Sequence, residues 1–162
     1  MRLRDDDPRI IRAADGSFRL RLTRPERTLL RSLPGQLREL LEAEDPAVGR
    51  LFPPAYRDDP EREAEYRRMV HDELVAGRRR ALDVMESTVD ANRLDGGQMA
   101  AWLGVLNDLR LVLGTRLEVT EDAVEEDYPP GDPRRETLAL YHYLGWLVAQ
   151  AVDALAGDPA PG

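Results

Sequence analysis

The chain of 162 residues contains no cysteine and no lysine. Without cysteine there can be no disulfide, thiolate nucleophile, cysteine-ligated zinc or cysteine redox switch. Because all 23 Lys and Arg positions are arginines, a Schiff-base lysine and the lysine of a phosphate-binding loop are excluded as well.

Long apolar runs are also missing. No segment approaches the roughly 18 apolar residues of a membrane span, and the first seven residues, MRLRDDD, lack the apolar core of a secretion signal. We therefore expect a cytoplasmic protein with no membrane partner.

Histidine occurs only as His71 and His142. Neither lies in a His-Glu-x-x-His motif. The residues three positions before them, Arg68 and Ala139, are not glutamate. The Glu-x-x-His pattern of di-iron bundles is thus absent. No metal site, cofactor or catalytic residue is predicted.

The composition present is that of a soluble globular protein, with 42% hydrophobic and 33% charged residues. Its length predicts a single domain over residues 1–162. The net charge of −8 opposes generic attraction to nucleic acid. The charge is uneven, since residues 1–41 hold ten arginines and six acids, whereas residues 118–132 hold seven acids and no base.

Residues 9–22 are predicted to form a β-hairpin. Asp15-Gly16 is a strong turn signal because both residue types tolerate positive φ. After the turn Phe18, Leu20 and Leu22 alternate with arginines, which indicates one buried face and one arginine ladder.

The remainder, residues 24–156, is predicted to be a helical bundle. Thr23, Asp59 and Asp132 are helix N-caps, each with a proline in the first turn. The first helix should kink or restart at Pro34, the second should end near Thr88, and residues 92–97 should form a turn. The fold class is therefore mainly α, an N-terminal β-hairpin followed by a four- to five-helix bundle, with residues 157–162 as a disordered tail.

The central helix, predicted over residues 99–118, is apolar nearly all round and should be the buried centre of the bundle. Five polar residues interrupt this apolar helix. They need hydrogen-bond or ionic partners, because each unpaired buried polar atom costs about 1–3 kcal/mol. The members of this polar group are Asn107, Asp108, Arg110, Thr115 and Arg116. They predict either an internal network, such as Asp108 with an arginine of a neighbouring helix, or a ligand or partner site.

A basic docking face is a second candidate site. Outward arginines on a β-ribbon can enter a nucleic-acid groove or grip phosphates. The candidate residues are Arg19, Arg21, Arg78, Arg79 and Arg80. A solvated helix face is the alternative reading of residues 78–80, and the net charge makes DNA the weaker partner.

Acidic pairs one helical turn apart allow an enzymatic alternative. All-α nucleotide pyrophosphohydrolases hold magnesium through such pairs on facing helices. The pairs in this chain are Asp83 with Glu86, Glu61 with Glu65, and Glu118 with Glu121. Solvated helix faces in an acidic protein produce the same spacing.

Four segments resemble a known actinobacterial family. They are residues 32–41 (SLPGQLRELL), 52–56 (FPPAY), 101–117 (AWLGVLNDLRLVLGTRL) and 143–147 (YLGWL). They are similar to a family of small acidic helical proteins described only as a domain of unknown function, one branch of which contains oxidative-stress transcriptional regulators of the AosR type. The resemblance implies a regulatory or adaptor role in protein quality control or in redox and sulfur metabolism, but thiol sensing cannot carry over to a chain without cysteine.

The sequence therefore predicts a non-enzymatic regulatory or adaptor protein, a stress-linked transcriptional regulator that acts through protein contacts. A protein partner is expected, and a homodimer is compatible with the sequence. The alternatives are the magnesium-dependent hydrolase and a structural homodimer.

Overall fold

The computed structural model describes residues 6–117 and 123–157. Along these ranges strands β1 (Ile10–Arg12) and β2 (Phe18–Leu20) come first, followed by helices α1 (Arg24–Glu42) and α2 (Pro60–Thr88). Strand β3 (Arg93–Leu94) and helices α3 (Gly96–Leu117) and α4 (Pro133–Ala156) complete the fold. Two short 3-10 helices, Pro46–Leu51 and Glu125–Asp127, lie in the connections. The predicted mainly α fold, with its N-terminal hairpin, is confirmed.

The sheet has one strand more than predicted. β1 and β2 pair antiparallel across the turn, in which Gly16 takes a φ of 87°. β3 then pairs with β2, so the prediction that residues 92–97 form only a turn was wrong. The extra strand forms because Leu94 lies opposite Phe18 and both side chains are buried in the core.

The helix starts agree with the predicted caps. Thr23 accepts a hydrogen bond from the Glu26 amide in a capping box, and Asp59 and Asp132 each cap a helix that begins with proline. Asp95 caps α3 by accepting from the Gln98 amide at 2.7 Å. Each cap satisfies an amide that has no partner within its helix.

Of the kink or restart expected at Pro34, the restart does not occur. α1 continues through this residue as one helix, and Pro34 is itself buried among the leucines of the helix. Packing of Leu30, Leu33 and Leu37 therefore outweighs the one backbone hydrogen bond that proline removes. The helix ends at Glu42, and Glu44 follows with a positive φ of 50°.

α3 is the centre of the bundle, as predicted. It packs against α2, α4, α1 and the 3-10 helix Pro46–Leu51. Trp102 is buried in this core and donates a hydrogen bond to the Thr88 hydroxyl at 2.7 Å. Gly114 lets α4 pack close to α3, because an added Cβ at this position would lie only 3.3 Å from the Tyr141 ring.

The hairpin is held by the last helix. β1 packs on α4, and the Gln150 side-chain oxygen accepts hydrogen bonds from the amides of Arg9 and Ile10. Within the described ranges, no helix has the length and apolarity that crossing a membrane requires.

Candidate functional site

The polar residues of α3 do not converge on one pocket. Asp108 faces α2, where it meets Arg78. Arg110 faces α4, with its guanidinium 5.4 Å from the centre of the Tyr141 ring. Arg116 lies near the 3-10 helix Pro46–Leu51, with one guanidinium nitrogen 4.0 Å from the Asp45 carboxylate.

Asp108 and Arg78 form the most buried of these pairs. The Arg78 Nε lies 3.3 Å from the Asp108 Oδ2, without the alignment of a hydrogen bond. The same guanidinium donates to the Leu51 carbonyl at 3.0 Å and stacks over the Phe52 ring at 4.9 Å. Burial raises the pKa of Asp108 to about 6, and the positive charge of Arg78 only partly opposes this rise.

The remaining two members of the polar group are Thr115 and Asn107. The Thr115 hydroxyl donates to the Leu111 carbonyl one turn earlier, at 2.9 Å. Asn107 is half-buried on the same helix. The group is therefore spread over several helix contacts, which is the arrangement expected of structural pairs.

The residues of the predicted basic docking face do not share one surface in the structure. Arg19 is exposed on the outer side of the sheet and Arg21 is half-buried beyond it, whereas Arg78 points inward to Asp108. Arg79 and Arg80 are exposed on α2, outside the sheet that carries Arg19.

Further arginines, which the sequence reasoning did not select, lie beside the sheet. Arg93 stands directly opposite Arg19 on the neighbouring strand, and Arg24 and Arg31 line an open groove together with Arg27. Arg27 ties this groove to the connection between α2 and β3, since it donates to the carbonyls of Val89 and Ala91 at 2.8 and 2.9 Å. We call Arg19, Arg21, Arg24, Arg31 and Arg93 the arginine face.

A buried network that sequence reasoning missed joins the hairpin to α1 and α4. Arg9 Nε donates to the Glu26 carboxylate at 2.8 Å, and the Tyr143 hydroxyl donates to its other oxygen at 2.6 Å. The Thr23 amide adds a third bond, at 3.0 Å. Burial would raise the pKa of Glu26, but the bonds from Tyr143, Thr23 and Arg9 together lower it, while burial and the bond to Glu26 raise the pKa of Tyr143.

Two of the three predicted acidic pairs lie within the described residues. Asp83 and Glu86 both accept from the same Arg38 guanidinium, at 2.9 and 3.1 Å. Glu61 and Glu65 are exposed on α2, and Glu118 and Glu121 lie outside the described residues. In the ranges that the structure describes, no three acidic or histidine side chains are grouped so as to hold a metal ion.

The histidines are separate from one another. His71 is half-buried, with its ring 5.3 Å from the Phe52 ring and its Nε2 3.8 Å from the Glu44 carboxylate. His142 is exposed and its Nε2 lies 2.9 Å from the Ala123 carbonyl.

A different kind of surface lies on the first half of α2. We call residues 60–74 the outer half of α2; none of them is buried, and the buried positions of this helix begin at Val75. Met69 is 76% exposed and Leu74 is 39% exposed. Beside them Tyr66, Val70 and Leu74 line a recess of about 270 Å³ against residues 51–53.

Comparison with known proteins places the chain in a family and near one named relative. Residues 7–155 match the family described as "Domain of unknown function (DUF2017)". A Mycobacterium leprae protein named "Putative oxidative stress regulator AosR" is 30% identical over 129 residues, which cover 69% of this chain and 59% of that protein. The chain thus spans about three fifths of the length of this relative. No solved structure matches the chain.

Proposed function

Because the chain belongs to the DUF2017 family of unknown function, which offers no reaction to transfer, we propose that it is a non-enzymatic regulatory or adaptor protein. Its role is stress-linked transcriptional regulation, exerted through contacts with a protein partner. The description of the Mycobacterium leprae relative supports the stress-linked part. The absence of cysteine means that any stress signal reaches this chain without thiol oxidation.

The observation that carries the proposal is the group of arginines that the fold brings together beside the sheet, the arginine face. Asp108 is paired with Arg78, and Asp83 and Glu86 are bonded to Arg38. The Asp108 carboxylate is buried, and Asp83 and Glu86, although 68% and 41% exposed, share one guanidinium. Within the arginine face Arg19 and Arg24 are exposed, while Arg31 is paired with Asp90 and Arg93 with Asp15.

The arginine face is the proposed contact surface for the partner. Arg19 and Arg93 are directly opposite on adjacent strands, an arrangement that is destabilising for like charges. Asp15 lies 2.8 Å from Arg93 and offsets part of the repulsion. An acidic surface on the partner would stabilise both arginines, which is the usual basis of electrostatic partner selection.

Gene deletion and complementation test the proposal. Loss of the gene should change the transcript profile of cells under peroxide stress, and the wild-type gene should restore it. The double variant R19E/R24E should fail to restore the profile, whereas R50E/R57E should succeed, because Arg50 and Arg57 are exposed outside the arginine face. The same transcripts in deleted and wild-type cells would contradict the regulatory role.

The choice of a protein partner over DNA is tested separately. Because the chain carries a net charge of −8, the purified protein should not bind promoter DNA at physiological salt. Salt-dependent, saturable binding that R19E/R24E abolishes would assign the arginine face to DNA instead.

A further inference from the structure

The sulfur atoms of this chain are divided between the core and the surface. Cysteine is absent, and the sequence contains four methionines. Met85 and Met99 are 0% exposed, whereas Met69, on the outer half of α2, is 76% exposed. The fourth, Met1, lies outside the described residues. In the ranges that the structure describes, Met69 therefore carries the one sulfur atom that a dissolved oxidant can reach.

The surroundings of Met69 leave this sulfur open to solvent. Side chains three and four positions away share its side of a helix, and here they are Glu65, Asp72 and Glu73, all exposed, and the half-buried Tyr66. Hydrogen peroxide and hypochlorous acid are uncharged molecules, so the three carboxylates do not repel them. Access to the sulfur is therefore hindered neither by packing nor by charge.

Oxidation at this position leaves the packing of the fold intact. Methionine sulfoxide carries a polar oxygen, which disrupts a core when the methionine is buried. At Met85 or Met99 the oxygen would be shut away from water, which is costly for an unpaired polar group. At Met69 water solvates the oxygen, and no residue on the outer half of α2 is buried.

We propose that Met69 is a site of reversible oxidation, at which a peroxide or hypochlorous acid converts the thioether to the sulfoxide while the chain stays folded. Hydrogen peroxide transfers one oxygen atom to the sulfur and leaves as water, so the sulfur is oxidised and the peroxide is reduced. Hypochlorous acid transfers its oxygen likewise and leaves as chloride and a proton. Methionine sulfoxide reductases reverse the step, taking two electrons from a thiol reductant and releasing the oxygen as water.

As a stress signal, this oxidation rests on the proposed regulatory role. The sulfoxide makes an apolar surface side chain polar, and its reduction restores the original side chain. The change alters the surface of α2 without altering the core, because Met69 is the exposed methionine and Met85 and Met99 are protected. It therefore supplies an oxidant response that needs no cysteine.

Peptide mass spectrometry tests the site, because cleavage after arginine separates the methionines. Met69 falls in the peptide 69–78, Met85 in 81–93 and Met99 in 94–110. In the folded protein under dilute hydrogen peroxide, peptide 69–78 should gain one oxygen atom at least about tenfold faster than the other two. In urea the three peptides should oxidise at similar rates, which shows that the fold causes the difference. Equal rates in the folded protein would overturn the proposal.

The singly oxidised chain tests whether the fold tolerates the change. It should keep the urea midpoint of the unmodified chain, whereas the variant M85Q, which buries a comparable polar group, should have a lower midpoint. Methionine sulfoxide reductases with dithiothreitol should return peptide 69–78 to its original mass, and dithiothreitol alone should not. A midpoint lowered as far as that of M85Q would make Met69 a site of damage and contradict the proposal.

Complementation tests the signalling role. Leucine, glutamine and methionine have similar helix propensities, so M69L and M69Q should fold like wild type. In cells that lack the gene, M69L should restore the unstressed transcript profile but not the response to peroxide. M69Q, which mimics the sulfoxide, should give the stressed profile without peroxide. E65Q alters an exposed residue one turn before Met69; it is the matched control and should behave like wild type.

The outcomes separate this inference from the proposed function. If the wild-type gene restores the profile and M69L responds to peroxide as fully, oxidation of Met69 is not the signal, and the regulatory role still stands. If deletion of the gene changes no transcripts, the regulatory role fails. The oxidation rates of the three peptides then decide by themselves whether Met69 is an oxidation site.

Discussion

Two buried carboxylates, Glu26 and Asp108, each face an arginine, yet their proton affinities shift in opposite directions. Glu26 pairs with Arg9 at 2.8 Å and also accepts bonds from Tyr143 and the Thr23 amide. Asp108 has the ion pair with Arg78, at 3.3 Å and poorly aligned. The pKa of Glu26 is lowered, whereas burial raises the pKa of Asp108 to about 6.

The difference shows that an opposite charge alone does not determine whether a buried carboxyl group is ionised. Burial raises both pKa values by disfavouring the charged form. At Glu26 three donors stabilise the carboxylate and outweigh burial, but at Asp108 a single charged neighbour does not. Glu26 therefore stabilises the junction of hairpin, α1 and α4, while ionised Asp108 destabilises the contact of α3 with α2.

The largest expected effect is at Glu26. E26Q removes the carboxylate charge that Arg9 Nε contacts at 2.8 Å, in a site where the Arg9 side chain is only 5% exposed. Breaking a buried ion pair on one side costs about 3–5 kcal/mol, so we expect the free energy of unfolding in urea at pH 7 to fall by about 4 kcal/mol. E39Q, on an exposed position of the same helix, should change it by less than about 0.5 kcal/mol. An equally small effect of E26Q would remove the distinction between the two carboxylates.

Loss of the arginine at the second site should be the next largest effect. R78M leaves the Asp108 charge buried without its partner, and we expect about 3 kcal/mol of destabilisation at pH 7. The loss should shrink to about 1 kcal/mol in a D108N background, since no charge is then left unpaired. R79M, which alters the exposed neighbour, is the control. A loss that is unchanged in the D108N background would assign the role of Arg78 to its bonds with Leu51 and Phe52 instead.

These sites also indicate what the sequence could and could not predict. The starts of α2 and α4 followed from Asp-Pro caps, which are local signals. β3 was missed because two residues become a strand only through non-local pairing of Leu94 with Phe18. The inward turn of Arg78 and the meeting of Arg9 with Glu26 depend on how distant elements pack, so neither has a signal in residue spacing.

The pH dependence of stability separates the two carboxylates. Because the folded pKa of Asp108 is about 6, above its ordinary value of 3.8, the native state binds more protons than the unfolded state between these pH values. Stability from this group is therefore present below about pH 4 and is lost as pH rises through about 6. Glu26 has the opposite sign, since its pKa is lowered, and its contribution is lost as pH falls below its ordinary range.

D108N removes the unfavourable charge. A shift of about two pKa units corresponds to about 3 kcal/mol, and the new amide nitrogen beside the Arg78 guanidinium offsets part of this gain. We expect the variant to be about 2 kcal/mol more stable than wild type in urea at pH 7.5 and equal to it at pH 4. D153N, on an exposed position of α4, should show no such crossover. A gain that persists unchanged at pH 4 would contradict the buried-charge explanation.

The smallest expected effect is that of Y143F, which makes the surroundings of the Glu26 carboxylate more like those of Asp108. Y143F removes one of the three donors without removing the charge of Arg9, so the pKa of Glu26 should rise towards its ordinary value of 4.5. The half-buried site admits partial replacement by water, and we expect about 1 kcal/mol of destabilisation at pH 7. NMR titration of the Glu26 carboxyl carbon measures the pKa shift, and Y56F, which alters an exposed tyrosine, is the matched control. If the bond from Tyr143 separates the two sites, Y143F must raise the pKa of Glu26; an unchanged value would show that Thr23 and Arg9 hold it down without Tyr143.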